Sequence, residues 1–190
     1  MYWRIRKFNP EEFVRQYGVH GALAASVLFN LFMLPKMMPS KAVTAEQKVN
    51  FDRFARIVTY HLLDCTYLTF PQSVTMLEKQ ELGPSLLKKL KKCKFLPPTP
   101  EEAIAQTRML TETKTVSAVL IESIKMADQP EANGQVPMYV RGHVVKHSAE
   151  GVEDQPIALK YYIGQRRDNK EPILVDMVDM SAQVQQQQPQ

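Results

Sequence analysis

A chain of 190 residues, 44% hydrophobic and 23% charged, has room for one packed domain and the apolar content to fill it, which excludes a wholly disordered protein. The formal charge is +4 and the pI near 9.0, yet Lys and Arg are spread along the chain and aromatics reach only 8%, so direct nucleic-acid binding is not expected. Cys65 and Cys93 are too few for a disulfide framework and lack the paired spacing of a zinc site. They read as buried or free thiols, or as one bridge if the domain lies in an oxidising compartment.

Residues 19–34 read VHGALAASVLFNLFML, sixteen residues with no formal charge and only His20, Ser26 and Asn30 as polar interruptions. As a helix the run covers about 24 Å, short of the roughly 30 Å of bilayer hydrocarbon. Extension back to Tyr17 and on through Met37 and Met38, with Lys36 snorkelling to the interface, brings it near spanning length. The flank before it carries Tyr2, Trp3, Arg4, Arg6, Lys7 and Arg15, and the positive-inside bias puts that flank in the cytoplasm and the later chain outside it. Three assignments compete: an uncleaved anchor, a signal peptide cleaved near Ser40-Lys41-Ala42, and a buried helix of a soluble core. The leader is long for a secretory signal, and the run is apolar on nearly every helical face, whereas a helix of a small soluble domain keeps a polar side. The preferred organisation is a cytoplasmic stub (1–18), a transmembrane anchor (19–38) and a linker (39–43). Val19, Leu23, Val27, Leu28, Phe29, Leu31, Phe32 and Leu34 are the membrane-embedded residues of that anchor.

A soluble domain is expected over 44–180. Thr44 stands three residues before Gln47, a capping-box spacing, and Phe51, Phe54, Val58, Leu62 and Cys65 then mark one apolar helix face, predicted to run to about Thr69. Pro71 opens a second helix that Leu82-Gly83-Pro84 interrupts. In the short helix SLLKKLKK and just beyond it, Lys88, Lys89, Lys91, Lys92 and Lys94 form the densest basic cluster of the chain. That cluster is either a solvated face or a contact for anionic lipid or an acidic partner. Thr99, Pro100, Glu101 and Glu102 supply an N-cap, a first-turn proline and an acidic first turn for a last helix, to about Met109.

From Thr115 helical spacing gives way to β-branched runs between turn residues, predicting strands over 115–126, 137–147, 156–164 and 171–180. Short connections make an antiparallel meander packed on the helices, and the fold class is α+β. The tail 181–190, SAQVQQQQPQ, has the composition of a disordered segment.

No catalytic constellation assembles from spacing, and no cofactor, metal or small-molecule substrate is expected. His20 lies in the anchor and His61 on the first helix, while His143 and His147 share a sheet face about 13 Å apart, too far for one metal. Asp176 and Asp179 should point to opposite faces. Gly142 and Gly164 look like bulge or strand-end positions. Should the domain enclose a cavity, Tyr60, Asp64, His143 and Tyr161 are the residues to line it; should it be solid, Phe51, Phe54, Leu62, Leu120 and Val140 are those to fill it.

The layout resembles the TraE-like subunits of conjugative type IV secretion systems. The similarity is carried by Val140-Arg141-Gly142-His143-Val144, by Ala158-Leu159-Lys160-Tyr161-Tyr162-Ile163, by the basic turn Arg166-Arg167 and by Pro172-Ile173-Leu174-Val175-Asp176. Residues 59–77 are similar to the paired helices of that family. The resemblance implies a nuclear-transport-factor-like periplasmic domain tethered to the bacterial inner membrane, acting as a non-enzymatic assembly factor. It further implies contacts with other secretion subunits and self-association. The chain lacks the Asn-Pro-x-Gly element of some relatives, and its cytoplasmic stub is unusually charged.

Overall fold

The computed structural model describes residues 42–166 and 168–182, all within the second of the chain's two compact units, Ser40–Gln190. The stub, the anchor with Val19, Leu23, Val27, Leu28, Phe29, Leu31, Phe32 and Leu34, most of the linker and the tail beyond Ala182 lie outside the described residues. Among the described residues no helix is long and apolar enough to cross a membrane.

Helix α1, Ala45–Leu63, opens on a complete capping box: Thr44 Oγ1 accepts from Gln47 N at 3.3 Å, and Gln47 Oε1 accepts from Thr44 N at 3.0 Å. Phe51, Phe54, Ala55, Val58 and Leu62 bury one stripe of it. The helix stops at Leu63, short of the expected end near Thr69. The cause is Asp64, whose carboxylate takes the Thr66 N–H at 2.8 Å, so the backbone turns out of the helix. Helix α2, Phe70–Met76, has Pro71 in its first turn and runs on as a π-helical turn, Leu77–Glu81, closed by a bond from Leu82 N to Leu77 O. Helix α3 is Pro84–Lys92 and α4 is Pro100–Glu112, the latter one turn longer than its apolar pattern announced. Both end with a lysine in the left-handed region, Lys94 at φ 59° and Lys114 at φ 50°, where glycine is usual.

Four strands follow, β1 Val116–Met126, β2 Val136–Ser148, β3 Gly151–Gln165 and β4 Pro172–Asp179, each antiparallel to its neighbour in the order β1-β2-β3-β4. The α+β class and the meander are therefore as the sequence predicts. The stretch SAEGVEDQ, expected as a loop, is instead a tight turn followed by the first third of β3, with Ser148 paired to Gly151 and His147 to Val152. Its side chains are exposed on both faces, so it carries no alternation to read. Beyond the end of β4 this part of β3 is a free edge, and Glu153, Asp154 and Pro156 give it the charges and the missing N–H that discourage a further strand.

The core lies between α1 and the inner face of the sheet, where Met138, Val140, Leu159, Tyr161, Ile163 and Leu174 meet Phe51, Phe54, Val58 and Leu77. A smaller cluster of Phe70, Val74 and Leu110 joins α2 to α4. Leu120 does not fill the interior as expected: it is paired with His143 on the outer face and is 56% exposed. In the run Val119-Leu120-Ile121 either alternation is apolar, and the register with β2 selects Val119 and Ile121 as the inner pair.

Candidate functional site

The residues expected to line a central cavity are dispersed. Tyr161 is fully buried in the core; its hydroxyl lies 2.9 Å from Thr59 Oγ1, which itself donates to Ala55 O at 2.6 Å, so the phenol is the donor. Burial pushes that phenol well above its ordinary pKa against the opposing Thr59 bond, and it stays protonated. His143 is on the outer sheet face between Asp154, at 3.0 Å, and Glu122, at 3.5 Å. Only Tyr60 and Asp64 share a concavity, a polar one of about 350 Å³ that also takes in His61, Gln72, Ser73 and Ser117.

Asp64 there is a tie between elements. Its Oδ1 accepts from Thr66 N, and its Oδ2 accepts from Thr69 Oγ1 and Ser73 Oγ, both at 2.7 Å. Burial pushes the carboxyl up, but the bonds from Ser73, Thr69 and Thr66 outweigh it and hold it below the ordinary aspartate value. Beside it His61 Nδ1 lies 2.7 Å from Glu81 Oε1, while the other carboxylate oxygen of Glu81 is buried with no partner among the described residues. Burial raises the Glu81 carboxyl against the pull of His61. Spacing could not reveal this pair, because the π-helical turn, not a helical or strand period, rotates Glu81 inward.

A larger concavity lies elsewhere: a groove of about 690 Å³ between α2 and α4. Pro71, Val74 and Thr75 form one wall, Ala103, Ile104, Thr107, Arg108 and Thr111 the other, and Pro97 and Pro100 close one end. The α4 residues recur on one helical face, and that helix buries only Leu110 of its own. The groove was not legible in the sequence because four of its lining residues, Thr75, Thr99, Thr107 and Thr111, are threonines. Thr75, Thr107 and Thr111 each donate their hydroxyl at 2.8 Å to the carbonyl four residues back, on Pro71, Ala103 and Thr107. With the hydroxyls satisfied by the helices, the wall they leave is largely methyl. Thr107→Val is accordingly expected to change stability by no more than about 0.5 kcal/mol, as a denaturant series would record. A loss above about 1 kcal/mol would give the hydroxyl a role of its own.

The lysine cluster is only partly free. Lys91 pairs with Glu78 at 2.6 Å on the rim of the groove, and Lys89 with Asp176 of β4 at 2.9 Å. Lys88, Lys92 and Lys94 are exposed and have no partner among the described residues, beside the half-exposed ring of Phe95. Cys65 and Cys93 are both free thiols, the first half-buried with its pKa raised by that burial, the second exposed. No group of three or more His, Cys, Asp or Glu among the described residues is placed to hold a metal ion. No family model matches the sequence, and no curated protein matches it either.

Proposed function

We propose that this chain is a bitopic inner-membrane assembly subunit of a type IV secretion apparatus for conjugative DNA transfer. In this reading residues 19–38 are the anchor, the amino terminus is cytoplasmic, and the α+β domain lies in the periplasm and works by contact with other subunits rather than by catalysis. The observation that carries it is the packed interior: the space between α1 and the sheet, where a ligand of a cone-shaped domain would sit, is occupied by Phe51, Phe54, Val58, Val140 and Tyr161.

The recognition surface is then external, and the α2/α4 groove suits one mode best. A cleft between two helices with an apolar wall accepts the apolar face of a third, anchored at intervals of three and four residues. Helix α4, with 13 residues, is about 20 Å long, enough to seat about three to four turns of a partner helix. Lys88, Lys92 and Lys94, at the end of the neighbouring α3, offer charge to an acidic partner or to anionic headgroups.

A photo-crosslinking residue at Thr75 of the full chain, activated in native membranes, is expected to capture another envelope protein. Ile104→Arg, at a 66% exposed site, should leave the melting curve unchanged and reduce that capture and DNA transfer by about tenfold. Recovery of adduct-free monomer, with transfer intact in the Ile104→Arg strain, would sink the contact role. Release of the full chain into the soluble fraction without detergent would sink the anchor.

A further inference from the structure

From Leu82 to Pro100 the chain has no Asp or Glu and carries five lysines, Lys88, Lys89, Lys91, Lys92 and Lys94. Acids from other elements reach only two of them: Glu78 of the π-helical turn takes Lys91 at 2.6 Å, and Asp176 of β4 takes Lys89 at 2.9 Å. Lys88, Lys92 and Lys94 stay exposed with no acidic partner among the described residues. The negative end of a helix favours cations, but that attraction is short-ranged and does not call for five.

The end of α3 gathers these charges at one tip. Phe95 N donates to Leu90 O at 3.0 Å and Lys94 N to Lys91 O at 3.2 Å, around Lys94 in the left-handed region at φ 59°. After such a turn an apolar residue ordinarily packs back against the helix, yet Phe95 is 42% exposed. Lys92, Cys93, Lys94 and Phe95 are therefore four exposed residues in a row, with Lys88 one turn back on the helical face of Lys92.

The chemistry of the tip selects its occupant. Its cations are all lysines, whereas protein interfaces deplete lysine and favour arginine, whose planar fork fixes a partner carboxylate. One ring, Phe95, is too little for the stacked bases of a single strand. A discrete phosphate calls for free backbone N–H groups, and this tip is the carbonyl end of a helix. Flexible ammonium groups around one apolar ring suit a headgroup layer, where the negative charge is diffuse and the ring enters the interface. We infer that the α3 tip, with Lys88, Lys92, Lys94 and Phe95, docks on the anionic phospholipid headgroups of a bilayer. This contact rests on the membrane placement proposed above but not on the secretion role, and it leaves the helix groove to a separate partner.

Cys93, an exposed free thiol inside the patch, carries the reporter. The full chain, with Cys65→Ala so that only Cys93 takes a dye, is placed in phosphatidylcholine nanodiscs with and without phosphatidylglycerol. Both kinds contain the same share of a lipid bearing a nitroxide on its headgroup. Quenching of the dye is expected with phosphatidylglycerol and not without it, and it should fall away in about 0.5 M salt, where the Debye length is about 4 Å. Lys88→Gln, Lys92→Gln and Lys94→Gln should each lower the docked-to-free ratio about fivefold, and all three together about a hundredfold. Lys125→Gln, the same loss of charge on β1 at the far edge of the sheet, should change it less than about twofold. Equal quenching in both kinds of disc, or a triple variant quenched as strongly as the parent, would overturn the contact. A dye unquenched in the discs but shielded from aqueous iodide in native membranes would give the surface to an acidic protein and overturn it too. Release of the chain from membranes without detergent removes the anchor and not the contact: mixed with vesicles of the same two compositions, the released chain should show the same difference in quenching, and no difference there would equally overturn it.

Discussion

Gly142→Ala is expected to be the most damaging single-methyl change in the described domain, lowering stability by about 3 kcal/mol or more, a fall of roughly 10 °C in melting temperature. A Cβ on Gly142 would lie 2.0 Å from the carbonyl oxygen of Leu120 and 3.0 Å from the Cα of Ile121. Both obstacles are backbone of the neighbouring strand, so no rotamer change relieves them. The close approach arises from the bulge in β1 between Ile121 and Ser123, which carries that strand over the middle of β2. Gly164→Ala is the control: its Cβ would meet Val175 Cγ2 at 2.9 Å, a side-chain tip able to turn away, and a loss of about 1 kcal/mol or less is expected. Equal thermal melts for the two variants would show that the bulge does not press on Gly142.

Asp64→Ala should lower stability by about 2–4 kcal/mol, because it removes at once the acceptor for Thr66 N, Thr69 Oγ1 and Ser73 Oγ, the last on a buried serine. The same turn is stitched to the first residues of β1: Cys65 N donates to Ser117 Oγ, Ser117 N to Thr66 Oγ1 and Tyr67 N to Thr115 O. Losing the carboxylate therefore loosens α1, α2 and β1 together. The pH dependence has a definite sign. The folded-state pKa lies below the ordinary aspartate value, so the carboxylate contributes its full stability above that ordinary value and loses it as pH falls through the folded pKa. Asp64→Asn should flatten that acid limb while retaining part of the stability at pH 7, in thermal unfolding recorded across the acid range. An unchanged acid limb would mean that the charge of Asp64 does not stabilise the turn.

Helix starts were legible wherever a side chain closes the first turn locally: Thr44 with Gln47, and Thr99 with Glu102, act within three residues, and both appear where spacing placed them. Helix ends were less so. α1 ends through the side chain of Asp64, and α4 through a left-handed Lys114 without the glycine that usually announces such a stop. Strands β1, β2 and β4 were found within a residue or so because they alternate or run apolar against a core. The first third of β3 was missed because neither of its faces is covered and only the hairpin register holds it extended.

The residues themselves determined the class, the antiparallel meander, the inner apolar stripe of α1 and the glycine at the bulge, since each follows from local chemistry or a short period. What lies far apart in sequence was settled by tertiary packing alone. The π-helical turn sets Glu81 against His61, the register of β1 turns Leu120 outward, and the Thr59–Tyr161 bond closes the interior. Threonines that satisfy their own helices turn a polar-looking segment into an apolar groove. Periodicity reports which residues share a face, whereas what that face meets, and whether a hydroxyl is already bonded, depends on partners tens of residues away.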